Sequence, residues 1–128
     1  MSTRCQVQVI QEQSHWGEKV TLYHHSDGYP EYIIPKIYEA YMYQGASAWE
    51  KGRARKVASF LCWSDPGAFE PEEGHEIHDD IEYYYQVYCN EKEFGANAQW
   101  EVEIYHFGTP LLEKRQPIEL LIQKYRKY

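Results

Sequence analysis

An imidazole, a carboxylate and a phenol stand close together in the run His25-Ser26-Asp27-Gly28-Tyr29-Pro30. Where a strand hands over to a helix, such groups lie near the helix N-terminus, a place that binds anions or positions a general base. His25, Asp27, Gly28 and Tyr29 are therefore the candidate ligand-binding residues. Turn chemistry offers a structural account of the same residues. Asp27 caps the helix, Gly28 adopts a positive φ, Tyr29 fills core space and His25 bonds a backbone group. A second set is His75 and His78, three positions apart among Glu73, Glu76, Asp79 and Asp80. Imidazole and carboxylate suit Zn, Mn or Ni. The spacing does not reproduce His-Glu-x-x-His, and a solvated acidic loop fits it better, since unpartnered charge runs stay in water. No metal is expected. For nucleophilic chemistry the sequence offers no Gly-x-Ser-x-Gly, no phosphate-binding loop and no Gly-x-Gly-x-x-Gly. Cys5, Cys62 and Cys89 are odd in number and widely spaced, and read as buried reduced thiols. No cofactor is expected, and an enzyme is the minority reading.

The elements that position these groups follow from periodicity. Cys5 to Gln11 alternates apolar and polar, as does the run from Val20 to His25, and the two runs predict an antiparallel hairpin across a turn at Glu12–Gly17. Pro30 suits the first turn of a helix carrying Ile33, Ile37, Ala40 and Tyr41. Pro35 must sit near that helix's start or kink it, and Gly45 ends it. A second helix is predicted from about Ala46 to Trp63, with Trp49, Val57, Phe60 and Leu61 as its apolar stripe and Lys51, Arg53, Arg55 and Lys56 as a solvated basic face. Residues 64–80 form an acidic loop rich in Pro and Gly. Strands Ile81–Cys89 and Trp100–His106 predict a second hairpin. A last helix starts at Pro117 and carries Ile118, Leu121, Ile122 and Tyr125.

The expected architecture is a single α+β domain over 1–128: an antiparallel four-stranded sheet of two hairpins, helices packed on one face, order ββααββα. If Val7, Val9, Val20, Leu22, Trp100, Val102 and Ile104 face the helices, the other face gathers Tyr23, Tyr84, Tyr88, Tyr105, Glu101 and Glu103, together with Gln6, Gln8 and Thr21. These tyrosines and acids are the candidate interaction face. Tyrosine is a large amphipathic anchor enriched where proteins meet. An aromatic platform could stack single-stranded bases, but the glutamates on the same face would repel a phosphate backbone. Cover by another subunit or by the acidic loop is the bland alternative.

Composition narrows the partners. The 128 residues carry a formal net charge of −7, and 43% are hydrophobic. A basic duplex-wrapping protein is excluded, since phosphate neutralisation needs concentrated Lys and Arg. A disordered chain is excluded by the apolar content. No apolar run is long enough to span a membrane, and the opening residues do not read as a secretory signal, so the expectation is an intracellular, cytoplasmic protein.

The opening Thr3-Arg4 strand, the run Leu22 to Glu31 with its His-x-Asp-Gly-Tyr-Pro core at His25–Pro30, and Asp80-Ile81-Glu82-Tyr83 before an aromatic strand together resemble a family of small uncharacterised proteins of phages, archaeal viruses and their prokaryotic hosts. Ser26 departs from the aromatic common in that family, as does the long acidic loop. The resemblance implies no activity. It implies a viral or prokaryotic setting, and in host cytoplasm an acidic small protein acts by occupying a basic site on another protein. The expected function is a protein interaction module working through its acidic, tyrosine-rich surface, as a homodimer or on a protein partner. The competing class is a small-ligand or nucleotide-binding or processing protein using His25, Asp27 and Tyr29. A flat tyrosine surface favours the first; an anion pocket at the helix N-terminus favours the second.

Overall fold

The computed structural model describes residues 3–11, 18–43, 53–65, 68–90 and 99–125. Strand β1 (Cys5–Ile10) pairs antiparallel with β2 (Lys19–His24), placing Val7 opposite Leu22 and Val9 opposite Val20. The chain then forms helix α1 (Pro30–Met42) and helix α2 (Ala54–Ser64). Pro30 opens α1, where its missing N–H costs nothing, and the carbonyl of Tyr29 accepts from the amides of Tyr32 and Ile33. Pro35 lies within α1, one turn further on. Arg53, ahead of α2, is extended at φ −108° and ψ 122°, so the helix begins at Ala54 and does not run through from Ala46. The Glu12–Gly17 turn, Gly45, Trp49 and Lys51 lie outside the described residues.

The remaining elements are β3 (Phe69–Pro71), β4 (Tyr83–Asn90), β5 (Gln99–His106), β6 (Thr109–Pro110), β7 (Gln116–Pro117) and helix α3 (Ile118–Tyr125). The expected four-stranded antiparallel sheet in the order ββααββα is overturned. Among the described residues the sheet is seven-stranded and mixed, in the order β3-β2-β1-β4-β5-β6, with β7 also on β5. The two long hairpins join through β1 and β4, which run parallel with Val7 beside Tyr85 and Val9 beside Val87. Three short strands complete the edges, and each contains a proline: Pro71, Pro110 and Pro117. Proline cannot donate to a ladder and is confined to edges, so pieces this short carry no readable alternation. The residue 64–80 segment is accordingly not a free loop, since it contributes β3 to the edge of β2.

One face of the sheet carries Cys5, Val7, Val9, Leu22, Tyr85, Val87, Val102 and Ile104, all buried against the helices. The helices meet it with Ile33, Ile34, Ile37 and Ala40 of α1, Val57, Ala58 and Leu61 of α2, and Ile118, Leu121 and Ile122 of α3. Each large aliphatic side chain so buried contributes about 1.5–3 kcal/mol. Trp100 closes the core against the Tyr41 ring, with centroids 5.3 Å apart.

Candidate functional site

The structure separates the residues of the His25–Pro30 run. His25 follows β2 on the face away from the helices and pairs with Glu70 of β3 at 3.2 Å, its ring edge-on to Tyr23. Asp27 and Tyr29 engage each other instead, the phenol donating to Oδ1 at 3.3 Å. The expected helix cap is absent: α1 has no side-chain cap bond, and Tyr29 occupies the cap position. The positive φ also falls elsewhere, on Asp27 at 53°. A carboxylate side chain tolerates that region better than most, which leaves Gly28 a different task. A Cβ on Gly28 would meet Cys5 Cβ at 2.8 Å and the Thr3 carbonyl oxygen at 2.9 Å. Gly28 N–H donates to Thr3 O, and its own carbonyl accepts from the buried Tyr85 hydroxyl at 2.7 Å. The Asp-Gly-Tyr-Pro turn is thus docked tightly on the start of β1.

The face away from the helices is built by register: Gln6, Gln8, Thr21, Tyr23, Tyr84, Gln86, Tyr88, Glu101, Glu103 and Tyr105 share it. It is not open along its whole width. Residues 72–80 reach β1 and β2 through bonds to Gln6, Thr21 and Tyr23, and on these strands Gln6 is 1% and Gln8 3% exposed. Gln6 donates to the carbonyl of Glu76 at 2.9 Å and to Glu72 at 3.2 Å, and accepts from the His78 amide at 2.9 Å. Gln8 accepts from the Tyr84 hydroxyl and donates to Thr21, whose hydroxyl is 2.8 Å from His75 Nδ1. Both glutamines are satisfied, which removes the roughly 1–3 kcal/mol that an unpaired buried polar group costs. His75 and His78 serve this covering segment separately. His78 reaches Glu72 at 2.8 Å, and that hydrogen bond raises its pKa above the ordinary value. Among the described residues no set of His, Cys, Asp and Glu is grouped to hold a metal ion. Asp80, exposed, accepts from Tyr23 at 2.8 Å and from Arg4 at 3.1 Å, and its carboxyl is lowered, first by the Tyr23 bond.

Beyond this cover the face opens over β4 and β5. Glu103 accepts from the hydroxyls of Tyr88 and Tyr105, the latter at 3.1 Å. Burial and this carboxylate hold both phenols above their usual pKa. Arg115 packs its guanidinium 4.2 Å from the Tyr88 ring centroid while its Nε lies 3.4 Å from Glu101. At the other end of the same strands is a groove of about 480 Å³, lined by Ile77, Asp79, Glu82, Tyr84, Tyr105 and Phe107 among others. Tyr84 is buried in its floor, whereas Ile77 and Phe107 stand on its rim, 61% and 69% exposed. The interaction-face residues read from the sequence thus fall into a covered part, a glutamate-tied part and this groove.

Sequence reading missed one constellation. His24, 1% exposed, ends β2 on the helix side, with Nε2 3.0 Å from Asp65 at the end of α2. Tyr32 of α1 donates to the same Asp65 oxygen at 2.9 Å. Burial opposes ionisation of Asp65, but the bonds from His24 and Tyr32 prevail and lower its pKa. The trio ties β2, α1 and α2 together; its members are 33 and 41 positions from Asp65, a separation at which no motif is visible. The basic residues of the second helix also find a partner not anticipated, since Arg53 and Arg55 lie 3.3 and 3.6 Å from Glu18. Cys5, Cys62 and Cys89 are free; burial pushes the Cys89 thiol up to about 12, and Cys5 and Cys62 upward as well. Thiols so raised are poor nucleophiles. No described helix is long and apolar enough to cross a membrane. Comparison of the chain with protein families, with curated proteins and with solved structures found no match.

Proposed function

We propose that this chain is a protein interaction module that receives its partner on the acidic, tyrosine-rich face of the sheet, at the end where β4 and β5 are uncovered. The observation that carries this reading is the groove, with buried Tyr84 below and the exposed apolar side chains of Ile77 and Phe107 at its edges. Two large apolar groups left in water beside a concave aromatic surface lose solvation free energy that contact with a partner recovers. The phenols around it are tied by Glu103 and Gln8, so their rings are held in place before a partner arrives. The small-ligand reading at the start of α1 has less support. His25 is directed to Glu70 and Tyr23, and Asp27 and Tyr29 to each other, so they do not converge on a common point.

Selection of binders from a random peptide library on the purified chain, followed by amide hydrogen exchange with a selected peptide, tests the proposal. Protection is expected at Ile77–Tyr84 and Tyr105–Gly108. Protection at His25–Tyr32 instead would refute the sheet-face reading and revive the helix N-terminus as the site.

A further inference from the structure

Phe107 is held in an unfavourable backbone conformation. His106 pairs with Thr109, so Phe107 and Gly108 form a two-residue hairpin turn, with φ of 48° and 81°. Positive φ at both central positions matches the type I′ hairpin turn, whose preferred sequence is Asn-Gly or Asp-Gly, because an L side chain pays to enter the left-handed region. A bulky aromatic there is an outlier. Phe107 gains little in return from the fold, since 69% of it is exposed and its ring contact is with His106, centroids 4.6 Å apart. A side chain that is strained, apolar and in water does not serve stability. Its position on the rim of the groove assigns it to binding.

The charge of the groove identifies what it binds. Its lining contains the carboxylates of Asp79 and Glu82 and no lysine or arginine; the imidazole of His78, which also lines it, is held by Glu72 at 2.8 Å. Glu82 is engaged by His106 at 2.9 Å, whereas Asp79 makes no hydrogen bond or ion pair among the described residues. Tyr105, half-buried, offers an aromatic surface there, its ring 6.0 Å from that of the buried Tyr84. Aromatic faces beside a carboxylate, between apolar edges, match a guanidinium, which stacks on a ring while its fork bonds an acid. The same sheet face already shows this chemistry internally, where Arg115 lies over Tyr88 and bonds Glu101.

We infer that the groove between Ile77 and Phe107 is a receptor for an arginine side chain presented by an apolar loop of a partner protein. This rests on the sheet-face reading above and names the partner's chemistry. A second copy of the chain is a poor donor. Each copy carries a net charge of −7, and among the described residues the arginines, Arg4, Arg53, Arg55 and Arg115, each lie against a carboxylate of their own chain.

The test is an NMR titration of the full chain with a short peptide carrying one arginine between leucines, and with the same peptide carrying lysine or citrulline. The expected result is saturable movement of the Ile77, Asp79 and Gly108 amides. The arginine peptide should bind about tenfold tighter than the lysine peptide, and the neutral citrulline peptide weaker still. Phe107→Asn should raise Tm by a few degrees, because Asn suits the turn, yet weaken the peptide about tenfold; Asp79→Asn should weaken it several-fold with Tm unchanged. Equal affinity for lysine and arginine, with shifts spread over the acidic face, would overturn the arginine receptor and leave the sheet-face reading standing. Shifts confined to the start of α1 would overturn both. No binding, an unchanged affinity in Phe107→Asn, or dimerisation of the peptide-free chain through these amides would each overturn the inference.

Discussion

Gly28→Ala is the most informative single substitution in this chain. The added methyl would lie 2.8 Å from Cys5 Cβ, 2.9 Å from Thr3 O and 3.0 Å from Arg4 C. All three neighbours are backbone or Cβ atoms, so no rotamer change relieves the clash and the turn must lift from β1. Overpacking of this kind costs about 1–3 kcal/mol. Lifting the turn also stretches two hydrogen bonds, Gly28 N–H to Thr3 O at 2.8 Å and Tyr85 O–H to Gly28 O at 2.7 Å, each contributing about 1 kcal/mol. The smaller unfolded-state entropy of Ala offsets roughly 0.4–1 kcal/mol. The net loss is about 2–4 kcal/mol. At roughly 4 °C per kcal/mol for a domain of this size, Tm should fall by about 8–16 °C. Thermal unfolding followed by circular dichroism measures it. Gly74→Ala is the control, since nothing lies within 4 Å of a Cβ there, and should leave Tm unchanged. Tyr85→Phe removes one of the two bonds and should cost about 1–2 kcal/mol. A Gly28→Ala protein as stable as the parent would refute the close-approach account and return Gly28 to the candidate ligand-binding residues.

Three further outcomes are expected. Asp65→Asn, which withdraws the shared carboxylate from His24 and Tyr32, should destabilise by about 1–3 kcal/mol. Because the Asp65 pKa is lowered in the folded chain, its contribution is present above the ordinary carboxylate value near 3.8 and fades as pH falls through the folded value, so the variant's urea midpoint should depend less on pH in acid than the parent's. His78 has the opposite sign. Its folded pKa is raised by Glu72, so the stability it adds is complete below 6.5 and is lost as pH rises through the raised value. His78→Gln should remove that neutral-pH slope, and amide exchange should show the 72–80 segment loosening first. Finally, Glu103→Gln should let the Tyr88 and Tyr105 phenols ionise at lower pH, read by ultraviolet titration, because it removes the negative charge that resists phenolate formation. An unchanged titration would show that burial alone holds them up.

Much of the positional logic was legible in the chain. Alternation in Cys5–Ile10, Lys19–His24, Tyr83–Asn90 and Gln99–His106 assigns each side chain to a face, because strand geometry alternates regardless of neighbours. That is why Tyr23, Tyr84, Tyr88, Tyr105, Glu101 and Glu103 are found on one face. Helical spacing likewise marked Ile33, Ile37, Val57, Leu61, Leu121 and Ile122 as core. Turn chemistry placed the break at Asp27-Gly28 but misassigned its parts, since propensity does not distinguish a glycine needed for φ from one needed for close approach.

Alternation says which way a residue points and not which strand lies beside it, so the parallel join of β1 to β4 came from packing between segments some 76 to 78 positions apart, as in Tyr84 to Gln8. The proline-containing edge strands are too short to carry a period. The burial of Gln6 depends on partners supplied by Glu72, Glu76 and His78, and that of Gln8 on Thr21, Tyr84 and Gln86 of neighbouring strands, whereas polarity alone reads both as solvent-facing. The groove forms where residues 77–79 come together with β4, β5 and the hairpin turn that holds Phe107 in the left-handed region. Local sequence determined the elements, their faces and the acidic, aromatic character of the surface, since these depend on near neighbours; strand partnership, cover and concavity were decided by tertiary structure, since they depend on which distant segments come to share a space.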